Sequence, residues 1–99
     1  MDANTAHARR NEVTLLDVRE NWEREMGRIE GSLHIPLTEL VERVDEVPED
    51  KPVVALCLSG NRSEKAAGFL RTTGRDAHNL DGGVKSWIAS QLPFEGKTM

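Results

Sequence analysis

Apolar and polar positions follow one another along this chain in short blocks whose period changes from block to block. Val13-Thr14-Leu15-Leu16-Asp17-Val18 is apolar and β-branched, the pattern of a buried strand. Glu20 to Met26 suits a short helix that Gly27 ends. Ser32-Leu33-His34-Ile35 predicts a second short strand, stopped by Pro36. Leu37, Leu40, Val41, Val44 and Val47 then recur at helical spacing, which predicts an amphipathic helix over 37–47. Pro48 to Pro52 turns the chain into a third strand over 53–57, an unbroken apolar run closed by Cys57. Asn61 and Glu64 stand three apart, as an N-cap and its reciprocal partner do. They head a helix whose apolar face carries Ala66, Phe69 and Leu70 and which Gly74 ends. Asp76 to Leu80 reads as a fourth strand despite its Asp, His and Asn. Asp81-Gly82-Gly83 turns into a last helix with Val84, Trp87, Ile88 and Leu92 on one face.

Strands that alternate with helices imply an α/β fold, a parallel sheet covered on both faces. The ordered pattern runs over 13–94; residues 1–12 are polar and read as a loose arm or one weak helical turn, and 95–99 as a short tail. In such sheets ligands gather at the C-terminal ends of the strands, which is where Cys57 falls.

Composition narrows the possible partners. Ninety-nine residues fit one domain, and 13 basic against 17 acidic residues leave a net charge of −4, interspersed rather than clustered. That balance argues against a nucleic-acid or anionic-membrane surface. A single cysteine excludes an internal disulfide framework, and a free thiol suits a reducing cytoplasm. Met1 to Arg10 has no apolar core of a signal peptide, and the longest apolar stretch, Val53 to Leu58, is far too short to cross a bilayer. A cytoplasmic location is the expectation.

Cys57 offers the chemistry. In the plain reading it is one more small hydrophobe in a buried strand. In the alternative, the loop Leu58-Ser59-Gly60-Asn61-Arg62 turns backbone N–H groups and a helix N-terminus toward the sulfur. A cysteine with an ordinary pKa of about 8.5 is only about 3% thiolate at pH 7, so such a cradle would change its reactivity. Gly60 permits the tight turn, and Arg62 adds a positive charge in the first helical turn. Other candidates read as structural: Asp17 and Arg19 as a strand-end ion pair, His34 as a hydrogen-bonding side chain, Gly82-Gly83 as a turn into a helix, Trp87 as core. His7, His34 and His78 have no metal spacing with Cys57.

Cys57-Leu58-Ser59-Gly60-Asn61-Arg62 resembles the active-site loop of single-domain rhodaneses, the thiosulfate sulfurtransferase family. Three further segments agree in order and spacing. Leu16-Asp17-Val18-Arg19 is similar to the family's strand end, Gly27 to Pro36 to its "GHIxGAxNIP" segment, and Leu80 to Trp87 to its "LxGGxxxW" element. The likeness runs from about residue 13 to 94. It implies a three-layer α/β/α domain with a central parallel sheet and Cys57 as nucleophile and persulfide carrier, with Leu58, Ser59, Gly60, Asn61 and Arg62 binding the substrate. It implies thiosulfate or another small anionic sulfur donor, a thiol or cyanide-like acceptor, and neither metal nor organic cofactor. Related cell-cycle phosphatases place five residues between cysteine and arginine, whereas four separate Cys57 from Arg62, as in the sulfurtransferases. Leu58 stands where many members carry a polar or basic residue. That leaves room for a thiol persulfide or a protein donor, a relay between proteins, or a thiol sensor that only docks a partner.

Overall fold

The computed structural model describes residues 1–97. In chain order the elements are α1 (Ala3–Ala8), β1 (Thr14–Asp17), α2 (Asn21–Met26), β2 (Gly27–Arg28) and β3 (Leu33–His34). Two 3-10 turns, Leu37–Glu39 and Val44–Glu46, precede β4 (Val53–Leu56) and α3 (Asn61–Thr72). β5 (Ala77–Asn79), α4 (Gly83–Ala89) and β6 (Glu95–Gly96) complete the chain. The main sheet has four parallel strands in the order β3-β1-β4-β5, with Thr14 opposite Val53 and Val53 opposite Ala77.

The unbroken apolar run of β4 follows from its central position. Side chains alternate across a strand, so both faces must be apolar where both are covered. Val53, Ala55 and Cys57 enter one core with Leu16, Ile35, Leu40, Ala66 and Leu70. Val54 and Leu56 enter the other, with Leu15, Leu80, Val84, Trp87 and the α1 alanines Ala3 and Ala6. Thus α3 and the 3-10 segment cover one face, while α1 and α4 cover the other. This is the three-layer α/β arrangement expected.

Three sequence expectations need correction. Of the two forms expected for residues 1–12 the helical one is present, longer than one turn and packed rather than loose: Asp2 caps α1 by accepting the Thr5 N–H at 2.7 Å, and Ala3 and Ala6 are buried against the sheet. Their small size lets the helix lie close, and the polar residues around them hid that contact in the sequence. The tail also folds back. Glu95 and Gly96 pair antiparallel with Arg28 and Gly27, while Thr98 and Met99 lie outside the described residues. A Cβ on Gly27 would stand 2.5 Å from the Lys97 carbonyl and from the Phe94 ring, so this glycine admits the returning chain.

The third correction concerns 37–47, which is two 3-10 turns joined by a looser stretch rather than an α-helix. Its bonds run mainly three residues back, as in Leu40 N–H to Leu37 O and Val47 N–H to Val44 O. Pro36 precedes the first turn, and three valines resist α-helix between them. Spacings of three and four residues among Leu37, Leu40, Val44 and Val47 fit a tighter coil as well, and Val41 is left exposed. The Arg75 guanidinium donates to the Val44 and Val47 carbonyls at 3.1 and 3.0 Å, fixing the open end of the second turn. At the other end of the chain, α4 stops at Ala89, yet Leu92 still packs on the core beside it.

Candidate active site

Cys57 is the first residue past β4, buried at the C-terminal edge of the sheet. The loop after it curls back at Gly60, whose φ of +110° belongs to the left-handed region that glycine favours. As a result the Gly60 N–H donates to Cys57 Sγ at 3.1 Å, and the Ser59 and Ser63 N–H groups are also directed at the sulfur. The Ser63 hydroxyl lies 3.3 Å from the same atom.

This arrangement replaces the cap expected at Asn61. The N-cap of α3 is Gly60, no side chain caps the helix, and Asn61 is its exposed first residue. First-turn N–H groups of a helix need an acceptor. Here a sulfur supplies it, so Asn61 and Glu64 form no capping box.

Carbonyls in the loop point the other way. Cys57 O accepts the Val84 N–H at 2.8 Å and Leu58 O accepts the Lys85 N–H at 3.1 Å, both from the first turn of α4. Gly83 makes this approach possible: a Cβ there would collide with the Cys57 carbonyl and stand 2.6 Å from Leu58 O. By drawing the acceptors outward, α4 leaves a rim of donors around the sulfur. Gly82-Gly83 is therefore a turn into a helix, as read, and also the support of the loop.

Electrostatics follow the same geometry. Burial by itself pushes the Cys57 thiol up, but the Ser63 hydroxyl and the N–H groups of Ser63, Gly60 and Ser59 outweigh it. The net effect holds the thiol below its ordinary value. Arg62 does not stand free in the cradle. Both of its terminal nitrogens bond to the Glu23 carboxylate, at 2.6 and 2.9 Å, across from α2. Glu23 is buried, and this pairing first of all holds its carboxyl below the usual range. Arg62 is correspondingly held above its ordinary value by Glu23, with a smaller contribution in the same sense from Cys57.

Around this centre the remaining candidates take structural places. Arg19 Nη2 lies 2.8 Å from Asp17 Oδ2 and also donates to Gly27 O at 2.7 Å, tying the end of β1 to β2. Arg24 joins the same carboxylate at 3.3 Å and the Ser32 hydroxyl at 2.7 Å. His34 Nε2 bonds the Arg19 carbonyl at 2.8 Å, and Trp87 is buried with its N–H on Pro93 O at 2.7 Å. Leu58 is half-buried and Ser59 exposed; Ser59 serves the sulfur through its N–H, whereas Leu58 ties the loop to α4 through its carbonyl. Among the described residues no three His, Cys, Asp or Glu side chains gather into a metal-binding group. A groove of about 810 Å3, lined by His7, Arg10, Thr14, Lys51 and Phe94 among others, opens at the N-terminal ends of the strands, opposite the Cys57 loop.

Sequence reading missed Glu23, Ser63 and Asn79. The last accepts the Ser63 hydroxyl at 2.5 Å and donates its amide to Gly60 O at 3.1 Å. One signal did exist: the polarity of Asp76 to Leu80, poor for a strand, marks an edge strand with a polar task at its end.

A sequence model described as "Rhodanese-like domain" matches residues 2–90, a span that includes α1. An uncharacterized protein, YqhL of Bacillus subtilis, is 46% identical over 74 residues, which are 74% of this chain and 59% of that protein. A protein named sulfurtransferase from Allochromatium vinosum is 36% identical over 84 residues, 84% of this chain and 78% of its own length. Among solved structures, a rhodanese-related protein from Thermoplasma volcanium superposes with a TM-score of 0.92 at 34% identity, over 98% of this chain and 97% of that one.

Proposed function

The chain belongs to the rhodanese-like domain family, and on that premise we propose that it is a sulfurtransferase that carries sulfane sulfur on Cys57 as a persulfide. The observation that carries this reading is the convergence of donors on one sulfur: Gly60 N–H at 3.1 Å, the Ser63 hydroxyl at 3.3 Å and the N–H groups of Ser59 and Ser63. Such a ring suits an anion on sulfur before and after transfer. The Cys57 thiolate attacks the outer sulfur of a donor, forming a new S–S bond while the donor's own S–S bond breaks. The leaving group keeps that electron pair, as sulfite from thiosulfate or as thiolate from a persulfide. Negative charge now rests on the outer sulfur, within the loop of residues 58 to 62. An acceptor nucleophile, cyanide or a thiolate, takes that sulfur and returns Cys57 to its thiolate, a two-step covalent scheme.

Arg62 favours a second form of the same reading. Its two terminal nitrogens are engaged by Glu23 and Leu58 adds no charge, so a small dianion such as thiosulfate meets little uncompensated positive charge in the loop. A thiol persulfide, free or on a partner protein in a sulfur relay, suits that mouth better. A thiol sensor that only docks a partner is the alternative from a different class: its Cys57 would be oxidised reversibly but would take sulfur from neither donor. No helix among the described residues is long and apolar enough to cross a membrane, and a free thiol in working order is in keeping with a cytoplasmic site.

Intact mass measured after incubation with thiosulfate, and separately with a thiol persulfide, tests the proposal. Gain of one sulfur by the wild type and none by Cys57→Ser is the expected outcome. A wild type that gains none from either donor, or a serine variant that still turns over, refutes it.

A further inference from the structure

Asn79 ends β5 in contact with two of the residues that hold the Cys57 sulfur, Gly60 and Ser63. Its Nδ2 donates to the Gly60 carbonyl at 3.1 Å, and its Oδ1 lies 2.5 Å from the Ser63 hydroxyl. The assignment of the amide is forced by chemistry, since a carbonyl can only accept and so must face the nitrogen. Oδ1 is thereby fixed on Ser63. Ser63 is fully buried, and its oxygen lies 3.3 Å from Cys57 Sγ. A hydroxyl carries one proton, which cannot be given to Asn79 Oδ1 and to the sulfur at once.

We propose that Asn79 is a positioning residue that competes with the Cys57 sulfur for the Ser63 proton, and so sets how much thiolate is present at neutral pH. In the thiol form the S–H points at Ser63 Oγ and the Ser63 O–H at Asn79. On loss of the thiol proton to solvent, the hydroxyl turns to the sulfur and the Ser63–Asn79 bond is given up. Asn79 thus opposes the thiolate through Ser63, while its grip on Gly60 keeps the other donor aligned. Leucine at 79 is nearly isosteric and can do neither.

The chain has one cysteine and no tyrosine, so ultraviolet thiolate absorbance, blanked with Cys57→Ser, titrates this group directly. Other charged groups lie on the surrounding elements. Arg62 of α3 is paired with Glu23 of α2, Asp17 and Arg19 end β1, His34 lies on β3, and Asp81 and Lys85 flank the start of α4. All are common to the variants compared, so their fields cancel in the difference.

The test is a cycle of wild type, Asn79→Leu, Ser63→Ala and the double variant, with Asn79→Ala carried alongside as a change that adds no bulk. Loss of the Gly60 contact alone would move the titration midpoint equally whether or not Ser63 keeps its hydroxyl. Competition predicts a coupling: the midpoint change from losing Asn79 should be about one pH unit more negative with Ser63 present than with alanine there, the size of one hydrogen bond. The same change in both backgrounds, or a coupling of opposite sign, would overturn the proposal. No sulfur donor enters the measurement, so its failure is distinct from failure of the sulfurtransferase reading.

Discussion

Which hydrogens reach Cys57 Sγ decides how the residue behaves. With Gly60 N–H at 3.1 Å and the Ser63 hydroxyl at 3.3 Å, the anion is hydrogen-bonded before any substrate arrives. The alkylation rate of Cys57 should therefore rise with pH through a midpoint below the ordinary value of about 8.5. A midpoint at or above that value would show that burial outweighs the donors. Leu58 offers a second prediction at this scale. A cation placed there, Leu58→Arg, should lower the KM for thiosulfate severalfold, and the gain should shrink with salt as charges beyond about 8 Å are screened. Steady-state kinetics at low and high ionic strength check it; an unchanged KM would show that loop charge does not govern donor choice. The turn that brings Gly60 N–H back to Cys57 was legible in the sequence because it spans three residues, whereas the pairing that occupies Arg62 was not. Glu23 and Asn79 were missed, since each meets the loop from 16 or more residues away in the chain, as Arg62–Glu23 and Asn79–Ser63 show.

Among the elements, α4 does most to shape the site without touching the sulfur. Its first-turn N–H groups hold the carbonyls of Cys57 and Leu58, and Gly83 lets them come close enough. Gly83→Ala places a methyl against those carbonyls at a φ of +60°, and should destabilise the fold by about 1–3 kcal/mol while slowing alkylation of Cys57. Gly31→Ala is the matched control. Its φ of +83° is also left-handed, but nothing lies within 4 Å, so it should lose stability and leave Cys57 reactivity unchanged. Chemical denaturation and alkylation rates on both variants separate strain from misalignment. If both alter Cys57 alike, or neither does, α4 is not what aims the loop. Legibility at this scale depended on run length and period. The short, β-branched apolar runs of β1 and β4 suit a strand covered on both faces, and were read correctly. The spacing of Leu37 to Val47 suits two kinds of helix, and was assigned to the wrong one.

For the whole molecule, the alternation of strands and helices in the sequence pointed to a covered parallel sheet, while the packing of α1 and the return of β6 depended on contacts that no local pattern records. The Glu23–Arg62 bridge joins α2 to α3 over the sheet's C-terminal edge, between residues 39 apart in the chain, and it links stability to acidity. Arg62 holds the folded-state pKa of Glu23 below the ordinary value of 4.5. A carboxylate that is more acidic when folded stabilises the protein fully above its unfolded pKa, and that contribution is lost as pH falls through the folded one. Stability should thus be flat near neutral pH in this respect and decline below about pH 4.5. Glu23→Gln should remove part of that decline and lower stability at pH 7 by about 1 kcal/mol, a modest figure because Arg62 is a third exposed and partly screened. The same variant frees Arg62 to meet an anion, so its KM for thiosulfate should fall even as the fold weakens. Denaturation midpoints from pH 3 to 7, together with steady-state kinetics, test both effects on one protein. An acid profile identical to wild type would show that the bridge contributes nothing to stability, and an unchanged KM would show that Glu23 does not withhold Arg62 from the donor.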